Sequence, residues 1–372
     1  MNFLPEDSTH MAHALELARR GLYTTTPNPR VGCVLTRDGV VIGEGWHERA
    51  GEPHAEVHAL RAASERGMDA RGTTAYVTLE PCAHFGRTPP CCESLIKAGV
   101  ARVVVAMEDP NPLVAGQGLA RLRAAGVAVD CGLMENEAHE LNIGFVSRMT
   151  RGRPWLRMKV AASLDGKTAL LNGQSQWITG PDARRDGHAW RARACAILTG
   201  IGTVKDDNPQ LTVRDVETPR QPVRVVVDSR LETPLDAKVL GPGTLIAAAV
   251  DAGAPRRALE ARGAEVVVLP NASGKVELAD LLRELGRRGM NEVHAEAGYK
   301  LNGSLLNEGL VDELLIYLAP SLMGEAAHGM FNLPELKSLC EQRKLDFTDV
   351  CRVGTDIRVL ARVVNAVGAG QV

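Results

Sequence analysis

Apolar residues recur along the chain at two spacings, and the changes between them mark out the elements. Over 8–20, Met11, Ala14, Leu15, Leu17 and Ala18 fall on one helical stripe, which Gly21 closes. Segments 31–37 and 40–46 flank Asp38-Gly39, which predicts a β-hairpin. A helix is expected over 54–66, with His54 and Glu56 in its first turn, then a strand over 74–79. A Pro/Gly-rich loop over 80–90 leads into a helix over 91–98 stopped by Gly99. Strand 102–107, helix 118–125 and strand 127–131 follow. This order predicts a mixed sheet with helices on both faces. The run 148–154 is basic and breaks the periodicity, so one domain is expected over 1–150 and a second over 151–372.

Beyond that boundary strands and helices alternate. Strands are expected over 156–163, 196–199, 223–227, 244–249, 266–269, 292–295, 314–318 and 357–364, with helices over 182–194, 278–288 and 301–308 and one more between the strands at 244 and 269. The pattern predicts a second α/β domain, mostly parallel, with an antiparallel edge at its end. No G-x-G-x-x-G follows its first strand, so a standard dinucleotide fingerprint is absent. Glu296-Ala297-Gly298 follows a strand and opens a helix, where free N–H groups suit a phosphate. Thr199-Gly200-Ile201-Gly202-Thr203, taken alone, reads as a tight turn.

Composition narrows the setting. The 372 residues are 45% apolar and 24% charged, which fits two globular domains. A net charge of −2 argues against nucleic-acid binding by bulk charge but leaves room for a local basic pocket. No basic leader or membrane-length apolar run is visible, so a cytoplasmic location without membrane association is expected. There the eight cysteines are free or metal-bound rather than paired. Cys33, Cys131, Cys195, Cys340 and Cys351 read as small buried apolar residues.

The chemistry concentrates in His54-Ala55-Glu56-Val57-His58 and in the stretch from Glu80-Pro81-Cys82 to Cys91-Cys92. His54, Cys82 and Cys91 supply three ligands for a zinc ion, leaving a fourth position for water. Glu56 stands close enough to move that water's proton without ligating the metal. His-x-Glu followed by Pro-Cys and a second Cys is the pattern of zinc deaminases of bases. Cys92 competes with Cys91, and His58 or His84 would complete a purely structural four-ligand site.

Across almost its full length the chain resembles the bifunctional riboflavin-biosynthesis deaminase/reductase family. The first half resembles it in Thr26-Pro27-Asn28-Pro29-Arg30-Val31-Gly32, in Pro53-His54-Ala55-Glu56-Val57-His58-Ala59 and in Gly86-Arg87-Thr88-Pro89-Pro90-Cys91. The second half resembles it in Ser163-Leu164-Asp165-Gly166, Ser175-Gln176-Trp177-Ile178-Thr179 and the run from Asp206 to Arg214. The resemblance implies a cytidine-deaminase-like first domain and a dihydrofolate-reductase-like second domain. It implies zinc-dependent deamination of a diaminopyrimidinone bearing a phosphoribosylamino group, then NADPH-dependent reduction of the ribosyl group to ribityl. For the first site it implies Glu56 as the proton carrier and Asn28 at the base edge, with His84 and Arg87 at the phosphate. For the second it implies Ala161, Trp177, Thr203, Asp207, Ser229 and Gly298 near the nicotinamide nucleotide. Ser175, Arg191, Leu211, Arg214 and Glu296 would lie near the substrate, with Lys159 facing it. Arg191 and Arg214 suit its phosphate. The chain departs from the family at Tyr299-Lys300, where smaller residues are usual. Asp109-Pro110-Asn111-Pro112 reads either as a site at a strand end or as a simple turn. A homo-oligomer is implied too, with the apolar strand over 311–318 near its interface. Two other readings compete: a deaminase of nucleosides or tRNA bases fused to an unrelated domain, and a zinc-stabilised binding module.

Overall fold

The computed structural model describes residues 3–83 and 90–364. His84 and Arg87 lie outside the described residues. The chain forms two compact units, Met1–Gly152 and Arg153–Val372.

In the first unit α1 (Pro5–Arg19) precedes the hairpin of β1 (Gly32–Arg37) and β2 (Val40–Trp46), then α2 (Ala55–Glu65) and β3 (Thr74–Val77). There follow α3 (Cys91–Lys97), β4 (Arg102–Val105), α4 (Gln117–Ala124) and β5 (Ala128–Cys131). The hairpin turns on Asp38 and Gly39, both at positive φ, as a two-residue loop requires. The sheet runs β2-β1-β3-β4-β5, with β1 antiparallel to both neighbours and β3, β4 and β5 parallel. Alternate residues feed two cores. Cys33, Leu35, Val77 and Val105 pack with Ala55, Ala59, Leu95 and Leu122 on one face. Val34, Tyr76 and Val104 pack with Met11, Leu15 and Leu141 on the other. A Cβ on Gly43 would sit 2.3 Å from the Ala59 carbonyl, and one on Gly45 2.4 Å from the His58 Cβ. Helix α2 therefore lies directly on the backbone of β2, which fixes the height at which His54 and Glu56 emerge.

Two helices were not anticipated: α5 (Glu135–Leu141) and α6 (Ile143–Arg151). The basic run at 148 does not interrupt a periodic segment. It is the last turn of α6, which Gly152 closes at φ 67°. Asn142, between the two helices, exchanges backbone–side-chain hydrogen bonds with Arg30, its Oδ1 accepting from Arg30 N (2.8 Å) and its Nδ2 donating to Arg30 O (2.9 Å).

The second unit begins with β6 (Trp155–Ser163), β7 (Lys167–Ala169), α7 (Pro181–Arg193), β8 (Ala196–Gly200) and α8 (Ile201–Asp207). It continues with β9 (Val223–Val227), β10 (Thr244–Ala248), α9 (Gly253–Ala261), β11 (Ala264–Val268), α10 (Leu278–Arg287), β12 (Glu292–Ala295) and α11 (Tyr299–Asn307). It closes with β13 (Glu313–Ala319), β14 (His328–Gly329), β15 (Lys344–Val353) and β16 (Asp356–Val364). Nine strands run β11-β10-β9-β8-β12-β6-β13-β16-β15, and the first seven are parallel. The antiparallel pairings at β16 and β15 form the expected edge.

Two expectations need correction. Residues 199–203 do not form an isolated turn: β8 passes straight into α8 at Ile201. Strand β13 lies between β6 and β16, with Leu314, Leu315 and Tyr317 buried. Cys340 is exposed and Cys131 and Cys351 are half-buried, so only Cys33 and Cys195 of the five scattered cysteines are buried. All eight are free. Among the described residues no helix is long and apolar enough to cross a membrane.

Candidate active sites

His54 caps α2 with extended backbone, so its ring stands at the mouth of the helix rather than in its first turn. Cys91 opens α3. Cys82 sits on the loop leaving β3, where its carbonyl accepts from Cys92 N at 3.3 Å and its sulfur from Cys91 N at 3.3 Å. One donor atom from each of His54, Cys82 and Cys91 lies within 4.8 Å of the others. His54 Nδ1 is 3.2 Å from Cys91 Sγ and 3.6 Å from Cys82 Sγ. The Cys91 thiol, then His54 and the Cys91 N–H, stabilise the Cys82 thiolate and lower its pKa against the cost of burial. Cys92 turns away into the core beside Leu95 and Leu119. His58 is outside this cluster, and its Nε2 is buried without a hydrogen-bond partner.

Glu56 is 3% exposed and lies against His54 and Cys91. Burial pushes its carboxyl pKa up, and its Oε2 is a buried acceptor with no hydrogen bond. Two sulfurs and one imidazole nitrogen suit zinc, and the unpartnered carboxylate oxygen beside them suits a ligand at an open position. The residues therefore fit the metal.

His47 carried no signal in the sequence. It is 2% exposed, and its ring meets that of His54 edge-on at 5.2 Å. Its Nδ1 is 3.1 Å from the Pro53 carbonyl and so carries the proton. Its Nε2 then accepts from Asn28 Nδ2 at 3.0 Å. Burial lowers the His47 pKa, which keeps this neutral form. Asn28 is thus anchored through its amide nitrogen. Asp109-Pro110-Asn111-Pro112 forms turns: Asp109 Oδ1 accepts from Asn111 N at 2.9 Å, and Asn111 Oδ1 from Leu113 N at 3.1 Å.

In the second unit Arg191 meets Glu296 through Nε (2.5 Å) and Nη2 (2.8 Å), and its Nη1 donates to Thr212 O at 3.1 Å. Three of its five N–H donors are thus engaged, two of them on the Glu296 carboxylate. Burial works against the Glu296 charge, but Arg191 and then Lys159 keep the carboxyl well below its ordinary range. Lys159 is itself pushed down by burial. Arg214 is exposed; its Nη1 meets Gln210 and Thr212, and its N–H donates to His188 Nδ1 at 3.3 Å. Trp177 is 71% exposed, with Arg184 4.7 Å from its ring, so it is not a core aromatic. Ser175 Oγ donates to Asp207 Oδ1 at 3.0 Å.

Leu211 is buried among Ile197, Val204 and Val226, so it offers only backbone to a ligand. Ser229 follows β9, and its Oγ accepts from Val276 N at 3.2 Å. Ala161 is half-buried on β6. Gly298 caps α11, and a Cβ there would stand 3.7 Å from Thr203 Oγ1. The starts of α8 and α11 therefore face each other at the ends of adjacent strands β8 and β12. Tyr299, just past that cap, stacks on His328 at 4.9 Å.

Residues 4–107 match the cytidine and deoxycytidylate deaminase zinc-binding region, and residues 154–359 match the RibD C-terminal domain. Fold and site thus define a zinc-binding deaminase domain joined to a dihydrofolate-reductase-like reductase domain. The chain is 49% identical to the riboflavin biosynthesis protein RibD of Escherichia coli over 365 residues, covering 95% of this chain and 98% of that protein. The Haemophilus influenzae RibD is 44% identical over 378 residues, with 96% and 98% covered. The solved structure of Acinetobacter baumannii RibD, form 1, superposes with a TM-score of 0.89 at 45% identity, covering 97% of this chain and 99% of that one. The Thermotoga maritima diaminohydroxyphosphoribosylaminopyrimidine deaminase/5-amino-6-(5-phosphoribosylamino)uracil reductase gives 0.87 at 33% identity, with 96% and 99% covered. The chain belongs to the RibD family, the bifunctional deaminase/reductases of riboflavin biosynthesis.

Proposed function

We propose that the first unit deaminates the diaminopyrimidinone phosphoribosyl compound and that the second reduces the resulting uracil's ribosyl group with NADPH. The observation that carries the first half is the convergence of His54, Cys82 and Cys91 beside the unpartnered Glu56 oxygen. Those three residues would hold the zinc. A zinc ion so held supplies an activated water by lowering that water's pKa toward neutrality. Glu56 would take one proton from the attacking water and pass it to the ring nitrogen, then take the remaining proton of the added hydroxyl and deliver it to the amine, which leaves as ammonia as the carbonyl forms. Its raised pKa suits a group that must both accept and return a proton. His47 keeps Asn28 turned so that its free carbonyl faces the pyrimidine edge.

For the reductase, Glu296 locked by Arg191 orients the substrate, and Arg214 meets its phosphate. Lys159 faces that substrate from β6. The facing starts of α8 and α11 receive the cofactor's phosphates through Thr203 and Gly298. Trp177 and Asp207 border the nicotinamide end, with Ala161 and Ser229 beside the nucleotide. Hydride transfer belongs to the cofactor; these residues orient the two reactants.

The chain would also self-associate. Strand β15 is the open edge of the large sheet and exposes Leu345, Phe347 and Val350. An open edge with exposed apolar side chains needs cover, and the same edge of a second copy supplies it.

The deaminase reading is tested by ammonia release from the phosphoribosyl substrate with wild type and Glu56→Gln. The variant should retain one zinc per chain and lose about 10²–10⁴ of the rate. Ammonia release at the wild-type rate by the variant contradicts it.

A further inference from the structure

Glu80 stands two residues before Cys82, and none of the deamination chemistry uses it. Its side chain is 5% exposed and accepts from four backbone N–H groups. Oε1 accepts from Gly118 at 2.7 Å and Leu119 at 3.2 Å. Oε2 accepts from Gly116 at 2.9 Å and Asp109 at 3.0 Å. Three of these donors belong to the start of α4, whose own N-cap is Gly116, a residue with no side chain to do the capping. The carboxylate arrives from another loop to serve as that cap, at the positive end of the helix dipole. The Glu80 N–H in turn donates to the Met107 carbonyl at 3.0 Å.

The contact extends through the next residue. A Cβ on Gly118 would stand 2.0 Å from the Pro81 carbonyl oxygen. Glu80-Pro81 is therefore pressed against α4 without space to shift. On its other side Cys82 is held by N–H groups of Cys91 and Cys92. The Cys82 sulfur thus hangs between two fixed supports, α4 through Glu80 and the start of α3 through the backbone.

We propose that Glu80 is a positioning residue of the metal centre: by anchoring its loop to α4 it fixes Cys82 where the sulfur meets His54 and Cys91. This inference rests on the zinc reading of those three residues. A carboxylate that only stabilised α4 would change the melting temperature and leave the metal held as before.

The test uses the full-length protein as wild type, Glu80→Gln and Glu80→Asp, all at a temperature where circular dichroism shows each folded. Two quantities are read: the rate at which zinc passes to an excess of a chromogenic chelator, and the absorption of the cobalt(II)-substituted protein. Glu80→Gln turns an amide NH₂ toward N–H donors, so it should release zinc about tenfold faster or more. Its cobalt spectrum should lose about half of the thiolate charge-transfer intensity, because one of two sulfurs leaves the metal. Glu80→Asp keeps the carboxylate on a shorter arm and should recover part of both; should Glu80→Gln not fold, the same two measurements on Glu80→Asp decide. Wild-type release and wild-type spectrum in the folded variants overturn the inference. A wild-type protein that binds neither zinc nor cobalt overturns the zinc reading, and this inference with it.

Discussion

Trp177 is 71% exposed, whereas Glu56 is almost fully buried. The exposed ring adds little to folding, so Trp177→Ala should leave the thermal midpoint within about 1 °C. If the ring covers the nicotinamide end, the same change should raise the KM for NADPH about fivefold, the worth of one aromatic contact. An unchanged KM contradicts that placement. The zinc set was legible in the sequence because its residues sit at or near element boundaries: one caps a helix, one opens another, one lies on a strand's exit loop. His47 was not legible, since its tautomer is set by a carbonyl six residues on and its role by Asn28, 19 residues back. The sequence shows Arg191 as a cation but not its partner Glu296, 105 residues away, which takes two of its hydrogen bonds.

At the scale of elements, strands with a uniform or alternating pattern were readable, and charged faces that end up buried were not. Strand β6 places Leu156, Met158 and Val160 in one core, while Arg157 on its other face is 3% exposed. Arg157 meets Glu292 and Glu313 there, and Arg193 of α7 meets Glu292 as well. In a sequence such charges look like a solvated face; only the covering helix shows otherwise. In the first unit Asp7 of α1, fully buried, receives two hydrogen bonds from Arg102 of β4 and one from Tyr76 of β3. Burial alone would raise the Asp7 carboxyl; Arg102, the Leu4 N–H and Tyr76 together outweigh it and hold the pKa below the ordinary 3.8. A carboxyl lowered by folding contributes stability above its unfolded pKa and loses that contribution as pH falls through the folded value. Asp7→Asn should therefore cost about 1–3 kcal/mol at pH about 7, and less at pH about 3. Urea unfolding at both pH values checks this; a gap of equal size at each contradicts it.

At the scale of the whole molecule, the two-unit organisation was legible because the alternating pattern restarts after a short break. Helix α6 was missed there because its last turn is basic and runs into the break. Strand β15 carries four charged residues among its ten, which hides it from an apolar pattern, while the apolar run of β13 matches its burial on both faces. If β15 pairs with its copy, Phe347→Lys should lower the sedimenting mass to that of one chain, and an unaltered mass excludes this edge. In the proposed function one chain performs two ordered reactions on one substrate. It is tested most directly by incubating the zinc-loaded protein with the diaminopyrimidinone phosphoribosyl compound, with and without NADPH, and weighing the products by mass spectrometry. Exchange of one amino group for oxygen is expected without NADPH, and the further gain of two hydrogens only when NADPH is added. Two hydrogens gained by substrate that still carries its amino group, or no deaminated product at all, would contradict it.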